Sequence, residues 1–132
     1  MPNKIVAAVL ILGAIGLLFI TGCYKTTTLL VDNTPAVTKA VSFSTDIVPV
    51  LTASCAKSGC HSGSVSPNLS SGNAWNSLVN GSFVDKSAPK NSVVYLWLTG
   101  KSGPAMPLGA SNNPSNINGL ILAWITQGAK NN

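Results

Sequence analysis

The chain's only histidine, His61, stands directly after a cysteine, and a second cysteine lies five positions earlier: Cys55-Ala56-Lys57-Ser58-Gly59-Cys60-His61. Two thiols and an imidazole in this order suit covalent haem attachment. Each thiol adds across one vinyl group of the macrocycle, and the imidazole after the second thiol lies beneath the iron as its proximal ligand. The adjacency of Cys60 and His61 ties that ligand to the macrocycle edge. The cysteine spacing only has to let both sulfurs reach the vinyls. Here it is C-x4-C-H, two residues longer than the common C-x-x-C-H. Gly59 accepts positive φ, which lets Lys57 and Ser58 loop outward while both cysteines keep their places. The same residues have two haem-free uses, a Cys55–Cys60 disulfide and a zinc site. Zinc wants four N, S or O ligands, and three good ones are present.

The remaining chemical groups are few. The 132 residues contain no arginine and no glutamate, and the acidic residues are Asp32, Asp46 and Asp85. Carboxylate-pair and two-metal hydrolysis are therefore excluded, as is every mechanism needing two histidines. A Ser-His-Asp triad is open only with His61 as its base. If iron is held by His61, bis-histidine ligation is impossible, and Met106 is the one methionine beyond the chain start. Met106 sits in a Gly- and Pro-rich loop and precedes Pro107, a setting in which a residue is held by its loop. A thioether opposite an imidazole stabilises ferrous iron and raises the potential, as an electron carrier requires. Two alternatives stay open: Met106 as a filler at the edge of the core, and Lys101 as a rival ligand.

The third cysteine belongs to a different chemistry. Lys4 precedes an apolar run from Ile5 to Ile20 broken only by Gly13 and Gly16, the pattern of an export signal over residues 1–22. The run is short against the roughly 20 apolar residues of a permanent span. Ile20-Thr21-Gly22-Cys23 resembles the lipobox of bacterial lipoproteins, which implies cleavage before Cys23 and lipidation of its sulfur and its new amino group. An uncleaved anchor helix is the alternative. Either way the protein is expected to be exported and tethered to a bacterial membrane, facing the periplasm or the cell surface.

The positive mean hydropathy of +0.35 belongs largely to this leader. Beyond it the apolar fraction falls to about 41%, typical of a soluble domain. Seven lysines against three aspartates remain, spread without a basic run, so nucleic-acid binding has little support.

Residues 23–42, threonine-rich with one proline and no helical period, read as a lipid-anchored flexible tether. Fully extended, it reaches on the order of 60 Å. Residues 43–132 then show four short helical patterns and no internal repeat. Ser44 or Thr45 caps the first, with Ile47, Val50, Leu51 and Ser54 on one face, Pro49 in the opening turn, and Cys55 at its end. Asn73 caps a second, with Ala74, Trp75, Leu78 and Val79 along one side and Asn80-Gly81 as the stop. Asn91 or Ser92 caps a third over Val93–Thr99, ended by Gly100. Its β-branched residues also permit a strand, but the cap and the glycine favour a helix. Asn113-Pro114 opens the fourth, in which Ile117, Leu120, Ile121, Trp124 and Ile125 recur at helical spacing up to Gly128, a C′ residue. Four helices of about ten residues with long loops bury little on their own, so a cofactor is expected to fill the middle.

Cys55 to His61, the Met106-Pro107 pair and the closing Leu122-Ala123-Trp124-Ile125-Thr126-Gln127-Gly128-Ala129 resemble a small class I c-type cytochrome domain, over roughly residues 43–130. Such domains occur in bacterial lipoproteins and in larger exported enzymes. The resemblance implies an all-α fold around one covalent haem c, with the first and last helices crossing so that Ile47 and Leu51 meet Leu120, Ile121 and Trp124. It also implies His61 as proximal and Met106 as distal iron ligand. Trp75, Tyr95 and Trp97 are expected as core and pocket wall rather than redox stations.

The leading expectation is one-electron transfer between a redox protein donor and a redox protein acceptor, with no small-molecule substrate and no enzymatic step of its own. Two propionates lower the mature charge to about +2, a weak bias toward acidic partners. A second possibility keeps the haem but leaves the iron open for a gas or peroxide. A third has no haem, only a surface lipoprotein whose Cys55–Cys60 disulfide pins an interaction loop.

Overall fold

The computed structural model describes residues 34–109 and 115–132. They form four α-helices with no strand among the described residues: α1 (Val48–Ser54), α2 (Ala74–Val79), α3 (Val93–Leu98) and α4 (Ser115–Thr126). The protein is all-α in this sense, and the third segment is helix rather than strand. A π-helical turn, Phe43–Ile47, leads directly into α1, and a 3-10 turn, Pro89–Asn91, leads into α3.

The opening of α1 differs from expectation. Its cap is Ser42, not Ser44 or Thr45, and the Ser42 hydroxyl accepts from the Thr45 N–H at 3.4 Å. Pro49 supplies the reason. It has no N–H, and its ring would strike the Thr45 carbonyl in a regular α turn. The wider turn, in which the Val48 N–H reaches back to the Phe43 carbonyl, moves the helix start one turn earlier and gives the proline room. At the other end Leu51 O accepts from both Cys55 N and Ala56 N at 2.8 Å, so α1 stops at Cys55 as the sequence indicates.

α4 organises the core. Ile117, Ile121, Ala123, Trp124 and Ile125 are buried with Val41, Phe43, Ile47, Leu51, Leu69, Ala74, Leu78 and Leu98 in one cluster, and Leu120 packs at its edge. Residues of the first and last helical segments therefore share one core. The Phe43 and Trp124 rings stack at 4.9 Å between centroids, tilted by 37°. Each large apolar side chain buried in this way contributes about 1.5–3 kcal/mol.

The end of α4 is a Schellman turn. Gly128 N donates to Ile125 O and Ala129 N to Trp124 O, both at 2.9 Å, with Gly128 at φ +100°. That conformation is why glycine stands there. Two indoles then fix the chain that leaves the helix: Trp75 Nε1 donates to Ala129 O and Trp124 Nε1 to Lys130 O, each at 2.9 Å. Asn132 closes the end by accepting Phe43 N on its side chain and Ser44 N on its backbone carbonyl.

Residues 34–42, which composition assigns to the tether, lie along this same face. The Tyr95 hydroxyl donates to Thr34 Oγ1 at 3.0 Å. Gln127 grips the segment twice, accepting Val41 N on Oε1 at 2.8 Å and donating from Nε2 to Lys39 O at 3.0 Å. Gly119 explains how the chain comes so close to α4, since a Cβ there would stand 2.6 Å from Pro35 O and 3.3 Å from Val37 Cγ2. Positions 1–33, including the leader and Cys23, and the expected Asn113-Pro114 cap lie outside the described residues.

Candidate functional site

α1 delivers Cys55 half-buried at its C-cap, packed against the core. The chain then makes a closed excursion. Cys60 N donates to Lys57 O at 2.9 Å, and His61 N returns to Cys55 O at 3.2 Å. Gly59 takes φ +78°, with open space where a Cβ would stand, and Lys57 and Ser58 are exposed. The two extra residues of the C-x4-C-H spacing are thus extruded through the glycine, while the backbones of Cys55 and His61 stay joined.

The imidazole is oriented by the next stretch of loop. Leu69 N donates to His61 O at 2.7 Å, folding residues 61–69 back on themselves. Within that fold His61 Nδ1 lies 3.1 Å from Pro67 O and 3.3 Å from Val65 O. Carbonyl oxygens only accept, so Nδ1 is the protonated nitrogen, and a neutral ring keeps its lone pair on Nε2. Ligand histidines are characteristically arranged so, with the other N–H on a carbonyl or carboxylate that fixes the ring.

Both thiols are unbridged, Cys60 being exposed. Burial pushes the Cys55 thiol above its ordinary pKa, and the nearby Cys60 sulfur adds a smaller push in the same direction. Disulfide exchange runs through the thiolate, so this environment disfavours Cys55 as an exchanging sulfur. Among the described residues no three His, Cys, Asp or Glu side chains group around a single point as ligands of one ion.

Met106 reaches the same core from the other side of the sequence. It is half-buried against the hydrophobic cluster, and its N–H donates to Trp97 O at 3.1 Å. Gly100 ends α3 with φ +71°. Lys101 N and Ser102 N both turn back to Leu96 O, at 2.8 and 3.3 Å. The methionine loop is therefore hung from the last turn of α3. Lys101, the rival ligand, holds its ammonium over the Tyr95 ring at 5.9 Å from the centroid.

The carboxylates lie elsewhere. Asp46 pairs with Lys39 at 2.7 Å and accepts Ser42 N at 2.9 Å. The Lys39 contact first, then the Ser42 N–H, lowers its pKa. Asp85 accepts from the Ser87 hydroxyl and from Ser87 N and Ala88 N, which lower its pKa as well. Both are engaged in local turns while His61 Nδ1 faces carbonyls, so neither builds a triad with it. Asp32 and Cys23 are outside the described residues. Tyr95 is fully buried, and Trp75 and Trp97 are half-buried.

The carbonyls of Val65 and Pro67 that meet the imidazole are not revealed by residue type, because every residue carries one. Pro67, six positions after the histidine at the close of a Ser- and Gly-rich loop, is the only sequence signal near them. No family model, curated protein or solved structure matches this chain.

Proposed function

We propose that the chain is a membrane-tethered monohaem c-type cytochrome with a small cytochrome c-like fold, passing single electrons between protein partners. One observation carries this reading. His61 has its Nδ1 proton committed to the Pro67 and Val65 carbonyls, which leaves Nε2 for a metal, and its backbone is joined to Cys55 beside two free thiols.

The residues fit a haem. Bound there, it would supply an iron centre that gains and loses one electron. Cys55 and Cys60 would hold its edge, each S–H adding across a vinyl with the hydrogen retained on carbon, so that attachment consumes no oxidant. His61 Nε2, with its tautomer and orientation kept by Pro67 O, would hold the iron from one side. Met106, brought to the core edge by the loop after α3, would offer the second ligand. His61 is half-buried within a largely exposed loop, a place where a docked redox protein comes close without any substrate channel. Cys23, lipidated, keeps the domain at a bacterial membrane on the periplasmic or outer side.

Spectroscopy of the exported protein tests this. The expected result is a low-spin spectrum in both oxidation states, with a methionine-to-iron charge-transfer band in the ferric form and no response of the ferrous form to carbon monoxide. A blank haem stain after denaturation rejects the reading, and an immediate carbon monoxide complex replaces the electron carrier with an open-site haem protein.

A further inference from the structure

Trp97 touches the Met106 loop twice. The Trp97 carbonyl accepts Met106 N at 3.1 Å. Three residues earlier, Gly103 lies against the indole so closely that a Cβ would stand 2.8 Å from Cζ3 and 3.0 Å from Cη2. No other described glycine meets an aromatic ring below 3.0 Å. The loop from Gly103 to Met106 is thus straddled by one residue, with backbone at one end and ring at the other. Lys101 N and Ser102 N on Leu96 O fix the approach to it.

We propose that Trp97 and Gly103 are positioning residues for the distal iron ligand, the bare glycine backbone on the indole setting where the loop presents Met106. The inference rests on the haem reading above. A thioether is a weak ligand, and its bound fraction depends on how little freedom the loop loses on binding. A loop already seated on α3 loses little. A methyl group at position 103 has to lift the chain from the ring or displace a half-buried indole, and either change moves the segment that carries Met106.

The test uses the full haem-loaded protein. Gly103→Ala is expected to lose the methionine charge-transfer band and to bind carbon monoxide in the ferrous state about tenfold faster or more, as the open fraction rises. Met106→Ala marks complete loss of the ligand. Gly72→Ala, where nothing lies within 4 Å of the added methyl, is expected to match the wild type. Trp97→Leu leaves the loop unsupported and is expected to speed carbon monoxide binding by a similar factor, which keeps the test decisive should Gly103→Ala fold poorly. Adding Gly103→Ala to Trp97→Leu should then add less than Gly103→Ala does alone, because the ring contact is already gone and only the strain of a side chain at φ +157° remains. The clamp is overturned if either single variant keeps the band and stays inert to carbon monoxide, or if the two effects multiply. If instead Met106→Ala leaves the wild-type spectrum unchanged, methionine ligation itself fails and the clamp fails with it.

Discussion

The two sides of this molecule are held together by different means. On the α4 side, residues 34–43 and 117–132 interlock through buried side chains and side-chain hydrogen bonds: Phe43 on Trp124, Gln127 on Lys39 and Val41, and two indoles on the C-terminal backbone. On the other side, from Ala56 to Asn68, no residue is buried. Val65 in this stretch is 46% exposed. Order there comes from main-chain bonds at Cys60, His61 and Leu69, from one imidazole on two carbonyls, and from Asn68 Oδ1, which accepts Ser70 N and Oγ. One side has the burial a small domain needs. The other presents the Cys60 thiol and a half-buried imidazole on a loop with no buried residue of its own.

Substitutions sharpen this contrast. Trp124→Ala removes the largest fully buried side chain together with its stacking and its hydrogen bond to Lys130. A loss of about 3–5 kcal/mol is expected in denaturant unfolding, whereas Val65→Ala in the exposed loop should cost under about 0.5 kcal/mol. Equal losses would show that the 56–68 loop is held as firmly as the α4 core. Gly119→Ala forces Pro35 and Val37 off α4, and after allowance for alanine's better helix propensity about 1–2 kcal/mol should be lost. Faster hydrogen exchange at the Val41 amide, which Gln127 now protects, would show that the strap is what moved. Gly128→Ala places a side chain at φ +100° and should cost about 1 kcal/mol, seen as a lower midpoint with an unchanged spectrum.

The smallest effect is electrostatic. Asp46 has its folded pKa lowered by Lys39 and Ser42, so its stabilisation is complete above the ordinary carboxylate pKa. It is lost as pH falls through the lowered value. Asp46→Asn should therefore unfold slightly more easily than the wild type at neutral pH, with the two curves merging in acid. A gap that persists in acid would assign the effect to the Ser42 turn rather than to charge.

Much of the frame was legible because it is written in local punctuation. Cys55 ends α1, Asn80-Gly81 ends α2, Gly100 ends α3 and Gly128 closes α4, each where a cap or glycine marks it. Gly59 takes the positive φ that the longer cysteine spacing asks for. Features that depend on distant neighbours were not legible. Ser42 replaces Ser44 or Thr45 as the cap because Pro49, seven residues on, forces a wider turn. Ser92 precedes α3, but its hydroxyl accepts Asp85 N at 2.9 Å rather than capping the helix. Positions 34–42 look like tether by composition, and only the bare backbone of Gly119 and the reach of Gln127 turn them into a strap. The carbonyls that orient His61 carry no side-chain signature at all.

Whether Cys55 and Cys60 carry a haem is read from the intact mass of the denatured exported protein. A mass about 616 Da above that of the processed, lipidated polypeptide is expected, since addition across two vinyls retains every atom of the haem. A mass with no such increment, or one about 2 Da below the reduced polypeptide as a Cys55–Cys60 disulfide gives, would contradict it.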